Sequence, residues 1–185
     1  MSTITRSGRV GVAVFLCAVF SLRADRSVPA GPPRTTSLAP PAAFTGTGTG
    51  CRVPDPSGTG GCVTPAMAWT IAEVRATTGA TPGACWDRHA WNPRSDHPAG
   101  RACDYTIGRI GRFPGPRTVA RGWKLAVWLR ANNEALHVNY VIFQGRIWSR
   151  EHDAEGWRAY QGAGVYNVLD VSGGHWDHLH VSTVD

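Results

Sequence analysis

The residues most able to do chemistry lie in two clusters of histidine and aspartate. The first cluster places His97 and Asp104 seven positions apart in the middle of the chain. The second cluster is the run HWDHLH at residues 175–180, which holds an HxH pair and a nearby aspartate. Imidazole nitrogens and a carboxylate oxygen are ligands of catalytic zinc, which leaves its fourth position to water. The two clusters together therefore predict a Zn2+ site that joins the middle of the chain to its end.

Such a site needs a folded domain, and the composition is sufficient for one. The chain has 185 residues, of which 42% are hydrophobic and 17% are charged. These values are typical of a globular domain with additional sequence rather than of a disordered chain. The formal net charge is +6, and it falls to +3 without residues 1–30. A mild positive charge is most simply that of an ordinary solvated surface. It would favour an anionic cell envelope over a neutral surface, and it is too weak to indicate nucleic acid as a partner.

The first 50 residues are typical of targeting and linker sequence. Two arginines precede an apolar run at residues 10–22, which is too short to span a bilayer comfortably. This pattern predicts a signal peptide over residues 1–30, with an uncleaved N-terminal anchor as the alternative. Residues 31–50 are rich in Pro, Ala, Gly and Thr and predict a linker. We therefore expect a domain over residues 51–185 that is secreted or held in the cell envelope, without stable membrane association after cleavage.

Four cysteines follow the predicted signal peptide, namely Cys51, Cys62, Cys85 and Cys103. An even number outside the cytoplasm predicts two disulfides, which could pair in three ways. We favour the pairing of sequence neighbours, Cys51 with Cys62 and Cys85 with Cys103, since the second bond would hold the residue before Asp104. A cysteine zinc site is the alternative, but the sequence lacks the CxxC spacing of such sites.

Hydrophobic periodicity predicts the elements that must position these residues. Apolar residues recur at helical spacing in two segments, and the alternation typical of strands follows later in the chain. The predicted elements are a helix from Thr64 to Gly79, a helix from Thr118 to Asn133, a hairpin at 137–148, a loop at 149–174 and a strand at 179–184. Helices before clustered strands predict an α+β fold, with helices on one face of a small antiparallel sheet that carries the zinc site.

Both clusters also fit longer motifs. Residues 95–104 match the pattern SxHxxGxAxD at every fixed position, and residues 177–180 form a DHxH segment. In these two motifs and their order, the chain resembles the zinc D-alanyl-D-alanine carboxypeptidase family. The motifs cover a small part of the chain, whereas the similarity in element order runs from about Cys51 to the end.

The resemblance implies a role for each matched position. His97, Asp104 and His180 match the zinc ligands of that family. Asp177 matches the acidic residue that acts as general base, and His178 matches an imidazole near the developing oxyanion. In a regular strand, His178 and His180 share one face and Asp177 points to the other. Asp177 can therefore act as the base only if it precedes the regular strand.

The motifs define the substrate-binding residues less closely. The family's substrate-binding arginine could be Arg75, Arg88 or Arg94, and we rank Arg94 first because it lies nearest to the motif. Ser95 and Trp176 are further candidates for substrate contact, although packing is the simpler role for Trp176. The remaining histidines fit no motif and are predicted not to be ligands: His89, His137, His152 and His175.

Together these observations predict a monomeric, secreted zinc metallopeptidase. The resemblance implies that it hydrolyses amide bonds in the peptides of bacterial cell-wall peptidoglycan, as a D,D-carboxypeptidase or an endopeptidase. One alternative is a metal-stabilised module that binds the cell wall without turnover, and another is a zinc hydrolase of a different polymer. The sequence holds no HExxH, GxSxG, P-loop or dinucleotide-binding motif, which excludes several common enzyme classes.

Overall fold

Residues 38–47, within the predicted linker, lie against the folded domain. The computed structural model describes residues 38–47 and 49–185, so the predicted signal peptide lies outside the described residues. The indoles of Trp69 and Trp128 donate hydrogen bonds to backbone carbonyls of this proline-rich segment. These bonds attach the segment to the domain surface. No described helix is both long enough and apolar enough to cross a membrane.

Two α-helices form where the local sequence predicts them. Helix α1 spans Pro65–Thr78 and helix α2 spans Pro116–Ala131. Thr64 caps α1, because its hydroxyl accepts a backbone amide of the first turn at 3.2 Å. Gly79 ends α1 at φ 72°, a left-handed conformation that glycine adopts without strain. The predicted range of α1 is confirmed, and α2 begins two residues before the predicted Thr118.

Seven strands in the described part of the chain form two antiparallel sheets. The smaller sheet pairs β1 (Val53–Pro54) with β2 (Cys62–Val63). The larger sheet has five strands in the order β3-β7-β4-β5-β6. Its strands are β3 (Ala102–Thr106), β4 (Val138–Phe143), β5 (Arg146–Ser149), β6 (Arg158–Ala159) and β7 (His178–Thr183). The last strand of the sequence therefore lies inside the sheet, between β3 and β4.

The hairpin and the final strand match the predicted elements, whereas the predicted loop at 149–174 is partly wrong. Strands β4 and β5 form the hairpin, and β7 is the final strand. The predicted loop contains two short 3-10 helices, Arg150–Glu155 and Gly162–Gly164, and the two-residue strand β6. Elements this short show no periodicity in the sequence, and β6 forms only because β5 offers its edge.

The two faces of the large sheet differ in chemistry. On one face, Cys103 opposes Val181 and Tyr105 opposes Leu179, and all four side chains are buried. They belong to one hydrophobic cluster with residues of both helices, including Met67 and Ile71 of α1 and Trp123, Ala126 and Leu129 of α2. On the other face, Asp104 opposes His180. The fold thus has a helix-covered core face and an opposite face that carries polar residues.

Two disulfides join the cysteines in the predicted pairs. Cys51 is bonded to Cys62, and Cys85 is bonded to Cys103. The first bond spans the β1–β2 sheet, and the second attaches the segment before residue 89 to strand β3. Disulfides in these positions are compatible with an extracellular protein.

Candidate metal centre and its cavity

The three predicted metal ligands meet at one place. One ligand atom from each of His97, Asp104 and His180 lies within 4.8 Å of the other two. His97 and His180 are buried, with 3% and 6% of their surface exposed, and the Asp104 side chain is partly buried. Two imidazoles and one carboxylate in this arrangement can hold a metal ion. His180 is far from His97 and Asp104 in the sequence, so the fold itself assembles the group.

His97 reaches the site from a loop that other contacts hold in place. Its Nδ1 donates to the Cys85 carbonyl at 2.5 Å, which leaves Nε2 as the ligand atom, 3.4 Å from an Asp104 oxygen. The disulfide to Cys103 fixes the position of that carbonyl. Gly100 ends the loop at φ +70°, and a Cβ there would lie 2.6 Å from the Cys51 sulfur. Only glycine fits this position, which explains the glycine of the sequence motif.

Asp104 and His180 face each other across two neighbouring strands. They are directly paired in the β3–β7 register, and His180 Nδ1 lies 2.9 Å from Asp104 Oδ1. The other nitrogen of His180, Nε2, lies 3.3 Å from the Tyr140 hydroxyl on β4. If a bound metal took Nδ1, the imidazole proton would lie on Nε2, and Nε2–H would donate a hydrogen bond to the Tyr140 hydroxyl oxygen. A histidine ligand whose second nitrogen is hydrogen-bonded in this way has a fixed orientation, as in known metal sites.

Burial and mutual contacts shift the pKa values of all three residues. Burial alone would raise the pKa of Asp104, but hydrogen bonds from His180 and His97 hold it well below its usual range. Burial is also the main reason that the pKa of His180 is lowered. For His97 the attraction of Asp104 outweighs burial, so its pKa is raised. The carboxylate is therefore ionised at neutral pH, as a metal ligand must be.

Asp177 and His178 form a hydrogen-bonded pair beside these residues. Strand β7 begins at His178, so Asp177 precedes the regular strand, as the predicted base requires. Asp177 Oδ1 accepts from His178 Nδ1 at 2.7 Å. Its Oδ2 accepts the Gly111 amide at 2.6 Å and the Ser172 hydroxyl at 2.7 Å. The carboxyl group is completely buried, and all of these donors point at it.

These contacts distinguish the two members of the pair. Although burial raises the pKa of Asp177, the bonds from Ser172, Gly111 and His178 outweigh it and lower the pKa below its usual value. His178 is less buried, and its Nε2 lies 3.9 Å from Asp104 Oδ2. His178 also lines the cavity over the candidate metal site, whereas Asp177 does not. Asp177 therefore orients His178, and His178 faces the space where a substrate would bind.

A cavity of about 610 Å³ opens over the three ligands. The predicted substrate-binding residues Arg94 and Ser95 both line it, and Arg94 is exposed to solvent. Trp176 lies outside the lining: its indole donates to the Val168 carbonyl at 3.2 Å, and its ring contacts Phe113. The structure thus brings Arg94 and Ser95 to the site and places Trp176 in the packing beside it.

The cavity also contains residues that sequence reasoning missed. The His89 ring stacks on His97 at 4.8 Å, and the His175 ring lies 4.6 Å from His178. Neither belongs to the three-residue metal group, and their assignment as non-ligands stays a prediction. Tyr140 was missed as well, although the alternation of β4 places it on the same face as Ile142. That alternation could have indicated Tyr140 only if β4 had been known to lie next to β7.

Comparison with known proteins yields one family. The family model described as "VldE, C-terminal domain" matches residues 59–168. The matched range contains His97 and Asp104 and ends before the Asp177–His180 segment. No curated protein and no solved structure matches the chain, so the resemblance to zinc D-alanyl-D-alanine carboxypeptidases stays a prediction. Because the matched range covers more than half of the 185 residues, the chain belongs to the VldE C-terminal domain family.

Proposed function

We propose that this protein is a secreted, zinc-dependent peptidase that hydrolyses amide bonds in the peptides of bacterial peptidoglycan. The observation that carries the proposal is the meeting of the three ligands with His178 in one open cavity. A metal group alone is compatible with a structural role. A metal group beside an oriented imidazole, with space above both, is what hydrolysis requires.

The chemistry of the ligand group supports zinc. Two imidazole nitrogens and one carboxylate oxygen match the three-ligand sets of catalytic zinc sites, which keep a fourth position open. Both histidines have their other ring nitrogen near an oxygen of a neighbouring group, Cys85 for His97 and Tyr140 for His180. When bound, zinc would lower the pKa of a coordinated water and polarise the substrate carbonyl. The residues around it would supply the proton transfers and the binding of the substrate.

The contacts favour His178 as the residue that takes and returns the proton. Its Nδ1 is bound to Asp177, so its Nε2 is the nitrogen that faces Asp104 and the cavity. Asp177 holds this orientation and would stabilise the imidazolium that forms. The prediction that Asp177 itself is the base requires water or substrate to reach this buried carboxylate, which already accepts from His178, Gly111 and Ser172.

Arg94 supports a peptide substrate with a carboxylate near the cleaved bond. Of the arginines in the described residues, Arg94 is the one that lines the cavity. Guanidinium groups bind carboxylates with two parallel hydrogen bonds. A carboxypeptidase substrate ends in such a carboxylate, whereas an endopeptidase substrate continues past the bond. We therefore propose Arg94 as the residue on which a carboxypeptidase activity would depend.

Metal analysis combined with mass spectrometry of digested peptidoglycan tests the proposal. We expect one zinc per chain and new peptide fragments, both lost in His97→Ala and His180→Ala. Full activity after removal of metal with a chelator would contradict the proposal. Arg94→Gln should raise KM for a peptide with a free C-terminal carboxylate and leave an amidated peptide unaffected.

A second pair of variants assigns the base. His178→Gln should retain zinc and lose turnover. Asp177→Asn should also lose most of its turnover, because an amide NH2 group cannot accept the Gly111 N–H and, turned toward His178, favours the wrong imidazole tautomer. If Asp177 is the base instead, Asp177→Asn should lose all turnover and His178→Gln should retain most of it. If both variants keep the biological function and cell-wall affinity, the protein is a metal-stabilised binding module. The observation that favours that alternative is the complete burial of the Asp177 carboxylate, which accepts three hydrogen bonds from the protein.

A further inference from the structure

The segment from the end of β3 through α2 is unusual in its charge. Residues 105–133 contain six arginine or lysine residues and no aspartate or glutamate. Four of the arginines are exposed: Arg109, Arg112, Arg117 and Arg121. Arg101, Arg130 and Arg158 form ion pairs with carboxylates, whereas none of these four exposed arginines is paired with a carboxylate of the described residues. The segment therefore presents a concentrated positive charge that the domain does not neutralise.

The same segment exposes large apolar side chains. We define the cationic loop as residues 107–117, which connect β3 to the start of α2. Within it, Ile110 is 58% exposed and Phe113 is 61% exposed. A turn closes the tip, where the Arg112 amide donates to the Arg109 carbonyl at 3.1 Å. Apolar and cationic side chains therefore alternate along one exposed turn.

The apolar surface continues onto a second loop. The Phe113 ring packs edge-on against Trp176 at 5.7 Å. The Trp176 indole in turn donates to the carbonyl of Val168, whose neighbour Leu169 is 68% exposed. Phe113 and Trp176 are thus in contact across two loops, and the exposed side chains of Ile110 and Leu169 lie close to them along the chain. Exposed apolar side chains grouped in this way are typical of interaction sites.

This surface is attached directly to the candidate active site. Asp177 accepts the Gly111 amide with its side chain, and its backbone carbonyl accepts the Ile107 amide at 2.7 Å. The residue that orients His178 is therefore held by the cationic loop. A partner bound to the loop would lie beside the cavity. It would be close to the hydrogen bond between Gly111 and Asp177, the residue that orients His178.

We propose that the cationic loop is a docking surface for a lipid bilayer that contains anionic phospholipid. Arginines beside exposed aliphatic and aromatic side chains match the headgroup region of such a bilayer, where phosphates lie above the acyl boundary. A soluble polyanion would pair with the arginines but would leave Ile110 and Phe113 in water. Nucleic acid bases stack on aromatic rings such as that of Phe113, whereas the aliphatic side chain of Ile110 has no ring on which a base can stack. Docking of this kind is reversible, and it is compatible with the predicted absence of stable membrane association.

Hydrogen–deuterium exchange of the full chain with lipid vesicles tests the proposal. The quantity measured is the lipid concentration that half-protects residues 107–117 from exchange. Vesicles of phosphatidylcholine with phosphatidylglycerol should protect this segment, and vesicles of phosphatidylcholine alone should not. Added salt should weaken the protection, because it screens the arginines. The readout is local, so it is independent of any contact that the apolar run at residues 10–22 makes with the same vesicles.

Matched variants separate the two components of the surface. Arg109→Gln with Arg112→Gln should raise the half-protecting lipid concentration by about thirtyfold, given the typical contribution of each juxtamembrane cation. Ile110→Ser with Phe113→Ser should raise it by about tenfold or more, through lost apolar contact. Arg75→Gln with Arg150→Gln changes the net charge equally at exposed arginines outside the loop and should have no effect. All four substituted loop residues are exposed, and unchanged thermal transitions will show that the variants fold.

Two results would overturn the proposal. One is the absence of lipid-dependent protection at residues 107–117 in the unsubstituted chain. The other is equal protection by soluble polyphosphate, together with unchanged vesicle binding of the Ile110→Ser, Phe113→Ser variant, which would identify a soluble polyanion as the partner. The measurement needs neither metal nor turnover. Its failure would therefore leave the proposed peptidase function standing, and loss of that function would leave the docking surface standing.

Discussion

The two faces of the β3–β7 strand pair carry opposite kinds of chemistry one residue apart. On the core face, Tyr105 and Leu179 oppose each other beneath the helices. On the site face, Asp104 and His180 oppose each other beneath the cavity. The core face is stabilised by burial of apolar surface, which tolerates some change of shape. The site face depends on hydrogen bonds and on distances between ligand atoms, and small displacements of the side chains disrupt both.

This comparison shows how one short sheet serves both stability and function. Successive side chains of a strand point to opposite faces, so the core and the site share the same backbone. Burial of Leu179 and Val181 against the helices therefore fixes where His178 and His180 lie. In the sequence HLHV, the two histidines therefore belong to the site face, and the leucine and valine belong to the core face.

The largest expected effect is the loss of the metal from the site face. His180→Ala removes one of three ligands, so we expect zinc to fall from one per chain to a trace and turnover to disappear. The apolar neighbours on the core face are unchanged, so the protein should keep its fold. Metal analysis and circular dichroism of the same sample measure both results. A variant that loses its fold together with the metal would show that the two faces are not separable.

The matched change on the core face should have the opposite result. Val181→Ala removes buried methyl groups from the neighbouring residue and leaves a cavity under the helices. We expect a loss of about 2 kcal/mol in the free energy of unfolding, with zinc content unchanged at moderate temperature. Urea denaturation followed by metal analysis checks this. Loss of zinc from a folded Val181→Ala protein would contradict the separation of the faces.

The second disulfide should connect the two faces. Cys103 lies on the core face, and the Cys85 carbonyl orients His97 on the site face. Replacing both cysteines with alanine should weaken zinc binding by about tenfold, as expected when a group that orients a ligand is lost. It should also lower stability by about 3 kcal/mol. Replacing Cys51 and Cys62 is the control, with a similar loss of stability and a smaller change in zinc affinity by competition titration.

The smallest expected effect is a loss of stability at the Asp55 turn, which lies outside the large sheet and supports the segment that orients His97. Asp55 accepts hydrogen bonds from the Ser57 and Thr59 hydroxyls and from the Trp86 amide, next to Cys85. Although burial raises the pKa of Asp55, these bonds outweigh it and lower the pKa below 3.8. A lowered pKa means that the carboxylate stabilises the fold fully above pH 3.8 and loses this effect as the pH falls through the lowered value. Asp55→Asn should cost about 1 kcal/mol at neutral pH.

Denaturation at several pH values measures this difference. The gap in unfolding free energy between the unsubstituted chain and Asp55→Asn should be constant from neutral pH down to about 4 and should close below that, where Asp55 takes up a proton. A gap that stays open in strong acid would show that the carboxylate charge is not its cause.

Local sequence predicted much of the fold, because several elements are encoded by their own residues. The Thr64 cap and Gly79 mark the ends of α1, and alternation marks the hairpin and the last strand. The pairing of cysteine neighbours was also predicted and is confirmed. The short elements within 149–174 were not predicted, because two or three residues carry no periodic signal. His89 and His175 were not placed in the cavity, because each lies in an irregular segment with a positive φ.

The amino-acid sequence by itself determined the residue types of the candidate ligands, the limits of α1 and the alternation that separates His178 and His180 from Leu179 and Val181. These properties depend on residues close together in the chain. Only the tertiary structure decided that Asp104 opposes His180 and that the cationic loop holds Asp177. The physical reason is that strand register and loop placement are set by contacts between distant residues, and a shift of one position would have moved the ligands to the opposite face.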